Sequence, residues 1–106
     1  MTVSGREEIK VGPMAIRFLL EGERTGGSVA VFEFDVPADA KIAAAHSHDS
    51  YDETIYGLEG TLAWTVEDEQ CEVGPGEALF IPSGAVHHFE NPGQAYAKAL
   101  AIASPA

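Results

Sequence analysis

Basic residues are scarce in this chain. Six lysines and arginines stand against seventeen aspartates and glutamates, a net charge of −11 over 106 residues. A nucleic-acid surface needs stripes of Lys and Arg to neutralise phosphates, so nucleic acid is not an expected partner. An anionic membrane surface is disfavoured on the same ground. The acids chiefly serve solubility, and together they repel polyanions and attract cations, metal ions included. Cysteine is scarcer still. Cys71 stands alone, no internal disulfide can form, and a reducing cytoplasm fits. No basic neighbour is at hand to lower its pKa, so the thiol reads as a small apolar side chain in a strand. No stretch approaches the ~18 apolar residues of a transmembrane helix. Met1 to Glu8 lacks the apolar core of a secretory leader. The expected location is therefore the cytoplasm, with no membrane partner. Helical periodicity is weak as well. Only Ala38 to Ala45 is rich enough in alanine to form a helix, and Pro37 before it and the histidines after it argue against one. No repeat, low-complexity tract or linker interrupts the chain, so one domain over 1–106 is expected.

What is present is short apolar segments punctuated by Gly and Pro. The apolar fraction is 45%, that of a globular protein. Ala15 to Glu21 reads as a strand ending at Gly22, and Gly26-Gly27 turns into Ser28 to Val36. There Phe32, Phe34 and Val36 alternate with Glu33 and Asp35, the pattern of a half-buried strand. A histidine-bearing strand follows, then Glu53 to Leu58, Thr61 to Val66, Gln70 to Val73, Ala78 to Ile81, His87 to Glu90 and Tyr96 to Ala103. Gly60, Gly74-Pro75-Gly76, Pro82-Ser83-Gly84 and Asn91-Pro92-Gly93 mark turns between them. About nine short strands at regular spacing predict an all-β sandwich or barrel. The aromatics Phe18, Phe32, Phe34, Trp64, Phe80 and Phe89 are expected mostly in its core.

The chemistry sits in four residues: His46, His48, Glu53 and His87. Residues two apart on a strand point to the same side, so His46 and His48 share a space if the segment is extended. A helix would set them about 200° apart. The polar stretch Asp49 to Asp52 can bend the chain so that Glu53 opens the next strand, and Pro82-Ser83-Gly84 feeds a further strand carrying His87. Imidazole suits Zn, Fe, Ni and Cu, and a carboxylate widens the choice to Mn. If the four converge, they make a mononuclear metal site. If they do not, the chain is an anonymous small β domain. His88 is the internal control, since a strand that turns His87 inward turns His88 outward.

At this point two stretches resemble the motifs of the cupin superfamily. His46-Ser47-His48, four residues, Glu53, six residues, Gly60 is similar to the first motif. Gly76, five residues, Pro82-Ser83-Gly84, two residues, His87, three residues, Asn91 is similar to the second. Ala40 stands where the first motif usually opens with glycine, and Glu77 where aspartate is common. The resemblance implies a small antiparallel β-barrel of jelly-roll type, its core spanning roughly 12–104, with a metal inside. It implies His46, His48, Glu53 and His87 as ligands of one divalent transition metal ion (Fe, Mn, Ni or Zn). Gly60, Gly76, Pro82, Gly84 and Asn91 become turn and framework residues. It also implies a homodimer, with 1–11 either a dimer-contact strand or a loose tail.

Four protein ligands on an octahedral ion leave two positions open, which is the mark of a catalytic rather than a structural site. The expected function is a metal-dependent enzyme acting on a small organic molecule. A dioxygenase of the quercetinase type comes first, with decarboxylase or isomerase chemistry as relatives, and Glu53 able to act as the catalytic base. The alternative is a module that binds metal and a small ligand without turnover. A further base beside the metal would have to come from Tyr51, Tyr56, Glu77 or His88, and the sequence places none of them.

Overall fold

Alternating residues pair into ten antiparallel strands. The computed structural model describes residues 7–106, with the backbone alone at 7 and 41–44. The strands are β1 (Glu7–Val11), β2 (Met14–Leu20), β3 (Ala30–Val36), β4 (Lys41–His46), β5 (Asp52–Glu59), β6 (Leu62–Val66), β7 (Glu69–Val73), β8 (Ala78–Ile81), β9 (His87–Glu90) and β10 (Ala97–Ser104). A single 3₁₀ turn, Gly22–Thr25, is the only helical piece among the described residues. No helix there is long and apolar enough to cross a membrane. The strand beyond those expected is β1, drawn from the segment read as a tail or dimer contact. It pairs with β2, with Ile9 opposite Ile16. Residues 1–6 of that segment lie outside the described residues.

The strands form a six-stranded sheet, β1-β2-β3-β10-β5-β8, and a four-stranded sheet, β4-β9-β6-β7. From β3 onward the chain passes repeatedly between the sheets, and this interleaving makes the jelly roll. The two sheets keep separate hydrogen-bond ladders among the described residues, so the roll is open and not a fully closed cylinder. Their inner faces supply the core: Phe34, Val36, Ile55 and Ile81 from the larger, Leu62, Trp64 and Phe89 from the smaller.

Two features of the core set the site. First, β10 turns Ala97, Ala99, Ala101 and Ala103 inward and leaves the larger Leu100 and Ile102 half-buried on the other face. Small inward side chains leave room between the sheets, and Ala101 lines that room. Second, the approach to β4 takes a left-handed residue at Asp39 (φ 61°), a conformation aspartate tolerates better than most. Ala40, where glycine was missing, packs partly buried against the core. The alanine-rich stretch is thus strand and not helix. Phe80 departs from expectation: it is 59% exposed, because alternation in the wholly apolar β8 gives the inward place to Ile81.

Glycine is required at 57. A Cβ there would collide with the carbonyl oxygen of Gly74, where the β7–β8 turn crosses β5. That approach is held by Gly57 N–H donating to Glu77 O (2.9 Å) and Gly76 N–H donating to Gly57 O (3.0 Å). Gly57→Ala must push two backbones apart. Overpacking of this kind costs about 1–3 kcal/mol, so the midpoint of thermal unfolding should fall by roughly 10 °C. An unchanged melting temperature contradicts the contact.

Candidate metal centre

His46 ends β4 and His87 opens β9, and the two are direct partners across the ladder. His48 lies two residues past the end of β4, in the link that leads to the bend at Asp49 and Ser50. The three rings still gather. Centroids are 4.3 Å apart for His46 and His87, 4.9 Å for His46 and His48, and 5.3 Å for His48 and His87. One ring nitrogen from each lies within 4.8 Å of the others. Nitrogens bound at about 2.0–2.1 Å to one ion sit roughly 3–4 Å apart, so shifts of about an ångström close the group on an ion. Glu53 comes from β5 in the opposite sheet. Its Oε1 is 3.4 Å from His87 Nε2, and it stands outside the tighter group of three.

The segment that carries His48 is tied to the turn that delivers His87. Gly84 N–H donates to the His48 carbonyl oxygen at 2.6 Å, and Ser83 N–H donates to Asp52 Oδ1 at 2.9 Å. Gly84 takes φ 86°, open to glycine at little strain. Ala85 N–H donates back to Pro82 O at 3.1 Å and closes that turn. Asn91 is buried and acts as framework: its Nδ2 donates to Val36 O and Ala95 O, and its Oδ1 accepts from Gly93 N–H.

His87 is 1% exposed, and its Nδ1 lies 2.9 Å from the Ala85 carbonyl oxygen. A carbonyl can only accept, so Nδ1 carries a proton, and in the neutral ring the lone pair is on Nε2. That Nε2 is buried and makes no hydrogen bond, the Glu53 oxygen included. A buried acceptor without a partner costs about 1–3 kcal/mol. A metal ion is the partner that a neutral imidazole flanked by two more imidazoles and a carboxylate would take, and a carbonyl on the other nitrogen is the usual way such a ring is oriented. The residues therefore fit a divalent transition metal.

The remaining groups respond to the same crowding. Burial, and then the neighbouring His46 and His87, hold the His48 pKa below its ordinary value. Burial pushes the Glu53 carboxyl up, partly opposed by His87 and His46. Tyr51 stacks on His48 with ring centroids 4.5 Å apart and planes 22° apart, and burial and Glu53 raise its pKa. Of the four side chains the sequence could not place, Tyr51 is thus the one beside the histidines. Tyr56 is exposed, and Glu77 accepts from Gly74 N–H at 2.7 Å in the β7–β8 turn. His88 lines a groove on the far face of the smaller sheet with Thr65 and Gln70, as its role of control requires. Cys71 is exposed on β7, its pKa raised by burial and by Glu69.

Beside His46, Glu53 and His87 lies a cavity of about 240 Å³ walled by Met14, Phe32, Phe34, Ile55, Trp64 and Phe89 among others. It is small for a ligand site, where about 300–1,000 Å³ is common. A cavity of about 150 Å³ holds benzene, so a single substituted ring is the scale that fits.

Residues 32–103 match the cupin domain family. The chain is 25% identical over 83 residues to quercetin 2,3-dioxygenase of Bacillus subtilis, covering 78% of this chain but only 24% of that enzyme's length. It is similar to the polyketide cyclase RemF from Streptomyces resistomycificus, with a TM-score of 0.81, 26% identity and coverage of 100% of this chain and 78% of that one. A predicted oxalate decarboxylase from Thermotoga maritima shares the fold over 100% of both chains, with a TM-score of 0.85 and 22% identity.

The raised Glu53 pKa has a consequence for the metal-free protein. A carboxyl that titrates higher in the fold than in the unfolded chain adds stability below the unfolded pKa, and that stability is lost as pH rises through the folded pKa. In chelator, Glu53→Gln should therefore melt higher than wild type at pH 8, and the gap should shrink toward pH 5. Paired melting curves at the two pH values check this, and a variant that melts lower at pH 8 contradicts the burial cost.

Proposed function

The chain belongs to the cupin family, and we propose that it is a metal-dependent enzyme acting on a small, largely apolar organic molecule, with oxygenase chemistry of the dioxygenase type. The observation that carries this reading is the buried, unpartnered Nε2 of His87, its lone pair set by the Nδ1–H bond to Ala85, next to an apolar cavity. We assign His46, His48, Glu53 and His87 as the metal ligands. When bound, a divalent ion such as iron, manganese, nickel or zinc supplies Lewis acidity and, for the redox-active members, chemistry toward dioxygen.

The chain's own residues divide the remaining work. The apolar walls exclude water and hold the substrate against the histidines. Glu53, where it leaves the metal, holds or accepts a proton at its carboxylate oxygen. Tyr51 keeps the His48 ring in place by stacking. Decarboxylation or isomerisation would use the same parts without dioxygen. A binding role without turnover is the second reading, favoured by one observation: apart from Glu53, His46 and His87, no side chain named in the cavity wall can carry a proton at neutral pH.

Metal analysis of purified protein tests the site. Wild type and His88→Ala should carry about one ion per chain, while His46→Ala and His87→Ala lose it. Equal loss or equal retention in all three variants overturns the assignment. For the chemistry, Fe(II)-loaded protein should consume dioxygen with a catechol or a small diketone. A fully loaded protein that is silent across that panel moves the reading to the binding module.

A further inference from the structure

We propose that Trp64 is a substrate-recognising residue, and that the cavity's ligand carries a carbonyl or other acceptor oxygen that takes the Trp64 indole N–H. Trp64 is 2% exposed, lines the cavity, and its Nε1–H has no acceptor among the described residues. It shares this condition with one other buried side-chain atom, His87 Nε2. Both line the same cavity, with ring centroids 6.4 Å apart. Alternation in β6 turns the Trp64 side chain inward: Leu62 and Trp64 are buried, while Ala63 and Thr65 are less so on the opposite face. Phe89 stacks close to the indole, its centroid 4.6 Å away, and adds area but no acceptor.

A buried indole N–H normally finds a partner, and leaving it bare costs about 1–3 kcal/mol. Packing needs the area of the indole but not its N–H donor. The side chain that does the packing while offering one donor is a recognition element, and its complement is an acceptor on whatever fills the cavity. The rest of the wall narrows the class further. Among the described residues no Lys or Arg lines the cavity, so a phosphate has no counter-charge from them. The walls are largely apolar, so the many hydroxyls of a sugar would go unpaired. What remains is a molecule of about one ring bearing a ketone, ester, phenol ether or similar oxygen. Trp64 holds that oxygen and so turns the ring's other end toward His46, Glu53 and His87.

This rests on the reading that the cavity beside the histidines takes a small molecule, and the test separates it from the metal assignment by using metal-free protein. The probes are acetophenone and its oxygen-free isostere α-methylstyrene, measured by calorimetry. Wild type should bind the ketone about tenfold more tightly, the worth of one net hydrogen bond. Trp64→Phe should bind the two alike and keep its zinc stoichiometry. Trp64 is the one tryptophan of the chain. Its indole N–H therefore gives a single ¹⁵N–¹H resonance in wild type, which the ketone should move downfield and the hydrocarbon should not. That readout stands even if the variant fails to fold. An indole signal unmoved by saturating ketone, a ketone preference that survives Trp64→Phe, or no binding of either probe overturns the proposal. Loss of zinc binding in wild type, with the ketone preference intact, would instead sink the metal assignment and leave Trp64 standing.

Discussion

One hydrogen bond, from His87 Nδ1–H to the Ala85 carbonyl, governs the rest of the site. It is made to the turn that opens β9, so the same short segment that starts the strand orients the ring. It also decides which nitrogen keeps a lone pair. With Nε2 buried and without a hydrogen bond, the neutral imidazole has its lone pair free for a partner from outside the chain. His46 reaches the same place because its strand pairs with that of His87, and His48 because its backbone carbonyl is held by Gly84.

The fold gives up stability to keep this arrangement. Buried donors and acceptors without partners, a carboxyl held away from water, and alanines where a strand could pack leucines are each unfavourable for a metal-free, empty protein. Their coincidence around one cavity distinguishes a functional site from a packing defect. Elsewhere the chain is conventional. The scarce basic residues are placed carefully: Arg17 donates to Glu8, Glu33 and Asp35 on the outer face of the larger sheet, clamping β1, β2 and β3 with one guanidinium.

Much of this was legible in the residues. Apart from the histidine strand, to which no limits were set, strand limits from Ala15 to Ala103 came within about two residues of those observed, because Gly, Pro and alternation mark them directly. His46, His48 and His87 converge as spacing and the cupin resemblance implied, and Glu53 approaches His87 from across the roll. Three things were not legible. Alternation alone could not phase the all-apolar Ala78–Ile81, so Phe80 appeared as core. The His48 carbonyl accepts a hydrogen bond from Gly84, thirty-six positions away, which no local pattern reveals. Trp64 read as packing because an aromatic on an inward strand position looks the same whether or not its N–H finds a partner; only the surroundings tell. The stack of Tyr51 on His48 belongs to the same class of tertiary information.

The central claim is that one metal ion sits among His46, His48, Glu53 and His87. Anomalous diffraction at the metal's absorption edge, from crystals of metal-loaded protein, addresses it most directly. A single strong peak about 2.0–2.2 Å from His87 Nε2, with the other three side chains drawn in, is the predicted result. A peak on the acidic outer surface with those four side chains unengaged, or no peak at all, would contradict it.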